Sequence, residues 1–417
     1  MKTTKIFILS IVLSISSICS FAQTWSSVGT GMNYNVRAIA VYNNELYAGG
    51  YANYLSDHIA KWNGTNWSSV GTGSSIDINA LTVYNGELYA ANESNNIQKW
   101  NGTTWSNIHT NSIKIDALGV YNGALYASGL SRPNGAAASF PIYKWDGINL
   151  SSVGYANAQT WSFVVYNGEL YAGGGFTTAV GISANHIAKW NGTTWSAVGA
   201  GINGRVFSLA VYNGELYAGG SFTIAGGDSA NNIAKWDGSN WSAVGNGTNG
   251  IVHTLAVYNG ELYAGGSFTM AGGIYANYIA KWNGTTWSAV GVGTNSYVSA
   301  LSVYNSDLYV GGVFTQAGGD TAMYIAKWNC SSGIEDNFKN DKITIYPNPC
   351  IDKIYIAQTN TNEIEVILLD IIGKQVGKTI KSKSQTTEID VSGLKAGIYF
   401  LDVKTKEEMC FKKIIKN

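Results

Sequence analysis

Charge, cysteine, histidine and proline are all scarce in this chain, and most of these shortages exclude something. Only 12% of the 417 residues are charged, and 26 basic residues balance 26 acidic ones. A neutral chain lacks the basic field that general nucleic-acid or membrane-surface binding requires. Of four cysteines, Cys19 lies in the N-terminal apolar segment. Cys330, Cys350 and Cys410 remain, an odd number without metal-type spacing, so the fold is not disulfide-built. His58, His109, His186 and His253 are far apart in sequence and form no zinc motif. Proline occurs only four times. After residue 22 no apolar run approaches the ~20 residues of a transmembrane helix. Neither a metal nor another cofactor is implied.

Glycine and tryptophan are abundant instead, at 50 and 14 residues, and 45% of the chain is hydrophobic. That content suffices for a packed core and excludes wholesale disorder. Residues 1–22 carry Lys2 and Lys5, an apolar stretch from Ile6 to Ile18, and then Ser20 and Ala22. This is the pattern of a secretory signal peptide cleaved before Gln23.

Internal repetition governs the middle of the chain. Val-Tyr-Asn begins at Val41, Val83, Val120, Val165, Val211, Val257 and Val303, at spacings of 42, 37, 45, 46, 46 and 46 residues. A Leu-Tyr pair and usually Gly-Gly follow, and about twenty residues later comes Lys-Trp, as at Lys235-Trp236. One unit reads as four strands. Val206 to Tyr212 turns at Asn213-Gly214 into Glu215 to Phe222; a longer loop leads to Asn232 to Trp236 and then Trp241 to Gly245. Four strands at this period predict propeller blades. Trp25 to Gly29 is a fourth strand without a blade, and the seventh unit stops at Cys330 without its fourth strand. The expectation is a seven-bladed β-propeller whose N-terminal strand closes the last blade, removing an exposed edge.

Asn-Gly, Leu-Tyr-x-Gly-Gly and the following Trp make residues 23–330 similar to kelch-like propellers. Trp-(Asn/Asp)-Gly stands where kelch units usually carry Tyr-Asp-Pro. That resemblance implies architecture and leaves function open.

Beyond Trp328 tryptophan disappears and charge rises: 13 basic and 12 acidic residues fall within 334–417, against 11 and 14 in 23–333. With 331–341 as linker, strand-like runs across 342–417 predict a small, immunoglobulin-like β-sandwich. Tyr346-Pro347-Asn348-Pro349, the Gly373-Lys374 segment and Gly397-Ile398-Tyr399 resemble the type A sorting domain of the type IX secretion system. The resemblance implies recognition of the tail by that secretion machinery at the outer membrane, usually with its removal. The propeller is then cargo at the cell surface or outside, read as a monomer.

Residues repeated in every blade are poor site candidates, because a catalytic group is needed once. Glu45, Glu87, Glu169, Glu215 and Glu261 read as solvated turn-flanking residues, the Trp and Tyr as blade packing, and the Asn-Gly-Thr runs as turns. Asp237-Gly238 is only partly similar to the Asp-box of sialidases, which needs a residue between Asp and Gly. Asp228-Ser229-Ala230 and Asp320-Thr321-Ala322 resemble a bacterial O-glycosylation signal.

Positions that differ between blades carry more information. Seven residues before each repeated Tyr stand Asn35, Asp77, Lys114, Gln159, Arg205, Ile251 and Tyr297. Two residues further in are Arg37, Asn79, Asp116, Trp161, Phe207, His253 and Ser299. On the long-loop face this double ring is where a ligand would meet the protein. Arg37, Lys114 and Arg205 suit carboxylates or phosphates, and Trp161 and Tyr297 suit stacking on a sugar or peptide ring. His253 completes the candidates, and the unidentified ligand is a protein or glycan. Asp77 and Asp116 are the one pair of carboxylates suited to polysaccharide cleavage, the enzyme alternative. A structural surface spacer is the third reading.

Overall fold

The computed structural model describes residues 23–33, 35–51, 58–71, 77–92, 97–109, 113–131, 138–330, 343–358, 363–370, 375–404 and 409–416. The signal-peptide segment 1–22 and the linker 331–341 lie outside them. Two compact units divide the chain, one from Thr24 to Asn329 and one that holds Cys330–Asn417. No helix occurs among the described residues.

In the larger unit each repeat folds into its own antiparallel sheet. The fifth repeat is representative: Arg205–Tyr212, Glu215–Ser221, Ile233–Trp236 and Trp241–Ala243 pair in that order. The Asn213-Gly214 turn joining the first two strands holds φ values of 50° and 75°, the left-handed pair that a type I′ hairpin demands and Asn-Gly supplies. Within the loop between the second and third strands a small hairpin pairs Ile224–Ala225 with Asp228–Ser229, an element the sequence reading missed.

The sheets meet through side chains, not through shared strands. Leu46, Ile59, Leu216, Ile233, Leu308 and Ile325 are fully buried, with tryptophans and tyrosines around them. One repeat reaches the next by two recurring hydrogen bonds. The Val-Tyr-Asn tyrosine donates to a turn carbonyl of the next repeat: Tyr121 to Gly168 at 3.0 Å, Tyr212 to Gly260 at 3.1 Å, Tyr258 to Ser306 at 3.0 Å. The fourth-strand tryptophan donates its indole N–H back to a valine carbonyl of the preceding repeat: Trp105 to Val70, Trp195 to Val153, Trp241 to Val198 and Trp287 to Val244.

The two ends of the repeat array follow the same rules. The strand Gln23–Ser27 lies beside Ile325–Cys330 in one four-stranded sheet with Asp307–Gly312 and Val298–Tyr304. Trp25 donates to the Val290 carbonyl at 3.0 Å, and Thr24 Oγ1 donates to Asn329 Oδ1 at 3.0 Å. Tyr304 of the seventh repeat donates to the Asn44 carbonyl of the first at 2.9 Å, and one buried cluster joins Val36 and Leu46 to Tyr304, Tyr309 and Ile325.

The third repeat departs from this plan. Leu150 stands where other repeats place tryptophan, and its fourth strand runs on from Leu150 to Ala156. Its pairing of Ala156 with Ala179 is the bridge that Ile202–Ala225, Thr248–Ala271 and Thr294–Ala317 repeat further on.

The C-terminal unit is two sheets around one core. Ile343–Tyr346, Lys353–Gln358 and Thr386–Asp390 form one; Ile380–Ser382, Ile364–Leu369, Gly397–Lys404 and Met409–Lys416 form the other. Period-two alternation aims Ile354, Ile356, Val366, Leu368, Leu401 and Val403 into the shared core. The strands at 380–382 and 409–416 add to those read from sequence.

Candidate functional site

Every innermost strand carries a bulge at the same register. Val36 lies opposite Gly50 and Ala38 opposite Gly49, which leaves Arg37 as the extra residue. The same slip makes Asn79, Asp116, Trp161, Phe207, His253 and Ser299 the extra residue in the other six. A bulge bends its strand and re-aims the extra side chain. In six repeats a glycine stands opposite the residue before the bulge, with Asn92 in its place in the second. A Cβ on Gly50 would lie 2.1 Å from the Asn35 carbonyl oxygen, and on Gly220 1.9 Å from that of Arg205. All seven positions read from sequence as the inner ring are therefore one structural class.

Several neighbours in this series touch. Arg37 Nη1 donates to Asn79 Oδ1 at 3.0 Å while its guanidinium lies 3.7 Å from the Tyr51 ring centroid. Asn79 Nδ2 donates to the Ile115 carbonyl at 3.1 Å. Across repeats four to six, Trp161 and Phe207 have centroids 4.9 Å apart, and Phe207 and His253 5.6 Å, within the range of favourable aromatic pairing. Burial holds the His253 imidazole below its ordinary pKa, which favours the neutral ring.

At the mouth, the predicted residues pair with a set the sequence reading passed over. Asp77 Oδ1 lies 2.8 Å from His58 Nδ1, and the Tyr297 ring packs on Tyr278 with centroids 5.8 Å apart. His186 sits near Arg205: burial lowers its pKa, the Gly174 carbonyl opposes that, and the Arg205 charge lowers it further. His58, His186 and Tyr278, together with Asn232 and Tyr324, each immediately precede the third strand of a repeat. His186, Asn232, Tyr278 and Tyr324 hold φ between 62° and 65°, a region bulky side chains rarely enter. A signal was present: each of the five stands before an unvarying Ile-Ala-Lys-Trp, so variation beside constancy marked them. Asp77, Arg205 and Tyr297 are thus each faced by a residue from the preceding repeat.

The two carboxylates of the enzyme alternative take separate partners. Asp77 bonds His58, and Asp116 lies 3.6 Å from Lys114 Nζ. Among the described residues no group of three or more His, Cys, Asp or Glu could hold a metal ion.

The repeated acids differ from their expectation of plain solvation. Glu45, Glu87, Glu169, Glu215, Glu261 and Asp307 are half-buried and bond Lys61, Lys99, Lys189, Lys235, Lys281 and Lys327 at 2.8–3.1 Å. Burial, reinforced by these carboxylates, pushes the Tyr89, Tyr171 and Tyr309 hydroxyls up to about 12. The sequon asparagines serve as turn acceptors. Asn191 Oδ1 takes the N–H groups of Thr193 and Thr194, and Asp237 takes those of Ser239 and Asn240. The amides of Asn240 and Ser239 hold the Asp237 carboxyl below its usual range.

In the C-terminal unit, Asn348 Oδ1 accepts the Ile415 N–H at 2.9 Å, which fastens the Tyr346-Pro347-Asn348-Pro349 segment to the last strand. Tyr346 stacks on Tyr355 at 5.8 Å, and Tyr399 donates to the Lys395 carbonyl at 3.0 Å. Gly373 and Lys374 lie outside the described residues.

No curated protein matches the chain in sequence. Among solved structures it is similar to the WD40 β-propeller domain of Doa1, at a TM-score of 0.52 and 13% identity, covering 73% of this chain and 96% of that one. It is also similar to the extracellular domain of BT4673 from B. thetaiotaomicron, at 0.50 and 11%, over 95% of this chain and 59% of that domain's length. At these identities the likeness is one of fold. Residues 344–417 match the family described as the secretion system C-terminal sorting domain. The C-terminal unit is therefore a sorting domain of that family, and the protein is secreted by the type IX route to the cell surface or the extracellular space.

Proposed function

We propose that the exported repeat unit is a seven-bladed propeller, closed by the strand Gln23–Ser27, that binds a protein or glycan partner on its long-loop face. Closure is supported by Trp25, which makes for the seventh repeat the bond that Trp241 makes for the fifth. The Tyr304–Asn44 bond adds the seventh-to-first contact.

The observation that carries binding is the bulge ring. One backbone irregularity, repeated seven times, presents seven different side chains, while the position before it is buried in every repeat and held by Val, Ile or Thr. Packing alone asks for no such diversity, since bulges next to a site serve to re-aim side chains.

The test is a glycan and surface-protein array probed with the mature chain. Specific capture, competed by the same ligand free in solution, is the expected result. Absence of capture across both classes would contradict the binding reading and favour a spacer.

A further inference from the structure

Charge at the mouth is divided between two halves. In repeats one to three His58 pairs with Asp77 and Lys114 with Asp116, while Arg37 bonds Asn79 and lies over Tyr51. Repeats four to six present Gln159, Arg205 and Ile251 at the mouth, Trp161, Phe207 and His253 beneath, and His186 and Asn232 alongside. No carboxylate stands at any of these positions. Arg205 is exposed, and among the described residues it has no carboxylate partner. Phe207, two residues inward on the same strand, is roughly 7 Å away along it, a span that the arginine side chain covers.

The three aromatic rings touch in series, Trp161 to Phe207 to His253, with their planes tilted by 37° and 50°. Burial favours the neutral form of both nearby histidines, so the guanidinium is the one group here charged at every physiological pH. An aromatic face suits the C–H face of a pyranose, the Gln159 amide suits its hydroxyls, and an uncompensated guanidinium suits a carboxylate in bidentate geometry.

Resting on the binding reading above, we propose that the arc of repeats four to six binds an acidic sugar. Its ring lies on Trp161 and Phe207, and its carboxylate is held by Arg205. The ligand class is a uronate-bearing polysaccharide or its fragments.

Isothermal titration of the mature chain with oligogalacturonate and oligoglucuronate, beside neutral oligomers of galactose and glucose of equal length, tests this. Acidic oligomers bind and neutral ones do not, and high salt weakens the interaction. Arg205→Gln, a change at an exposed side chain, lowers affinity about ten- to a hundredfold with the melting temperature unchanged. Trp161→Ala weakens binding, and Trp161→Phe, which keeps an aromatic face, restores most of it. Lys235→Gln on the opposite face changes nothing.

Equal binding of neutral sugars, undiminished binding by Arg205→Gln, or no binding of any uronate overturns the proposal. A partner of other chemistry captured on the array would leave the broader reading standing in each of these cases. An array that captures nothing removes both.

Discussion

Gly220 shows how closely the ring depends on single residues. Its missing side chain leaves room for the Arg205 carbonyl, 1.9 Å from where a Cβ would sit. Gly220→Ala must push the bulged strand away and should cost about 1–3 kcal/mol, as overpacking does, read as a lower midpoint in urea. A second residue-scale prediction concerns pH. The folded-state pKa of His253 lies below its unfolded value, so the folded protein binds fewer protons than the unfolded chain. Stability from this group is complete above about 6.5 and is lost as pH falls toward the lowered folded value. His186, lowered in the same direction, adds to the loss. Melting temperature should fall between pH 7.5 and 5.5 in the parent protein, and by less in His253→Phe; an equal fall in both would assign the effect elsewhere.

Among the strands, that of Gln23–Ser27 carries the clearest test. If it completes the seventh repeat, Trp25 occupies the place held by Trp67 in the first, which donates to the Val28 carbonyl at 2.9 Å. Trp25→Ala and Trp67→Ala should then destabilise by similar amounts, up to the roughly 3–5 kcal/mol of a buried tryptophan, in chemical denaturation. A Trp25 variant as stable as the parent would leave the strand with no closing role. The repeat period, the strand count per unit and the Asn-Gly turns were all legible, because each follows from local chemistry at a fixed spacing. The bulges were not, since a register slip depends on which residues face each other across two strands. The Gly-Gly pairs were its visible trace, read only as the end of a strand. Nor could the sequence pair His58 with Asp77 or Tyr278 with Tyr297, because such contacts arise only when one repeat packs on the next.

For the whole molecule, secretion belongs to the C-terminal unit and the proposed recognition to the repeats. The sorting domain has its own core, so a chain ending at residue 330 should fold its repeats and accumulate in the periplasm of its native host. Fractionation with an antibody to the repeats reads this directly; normal surface delivery would contradict the assignment of transport to residues 344–417. Recognition is assigned to one face of the repeats, and the opposite face supplies the control. Glu215 belongs there, in a partly exposed pair with Lys235 worth roughly 0–1 kcal/mol. The most direct measurement is therefore the affinity of the array-captured ligand for Arg37→Ala, Lys114→Ala, Trp161→Ala and Glu215→Gln, each with its melting temperature. Loss in the three ring variants and parent-like affinity in Glu215→Gln is the predicted result. Loss through Glu215 with the ring variants intact would place the binding surface on the short-turn face and contradict the site.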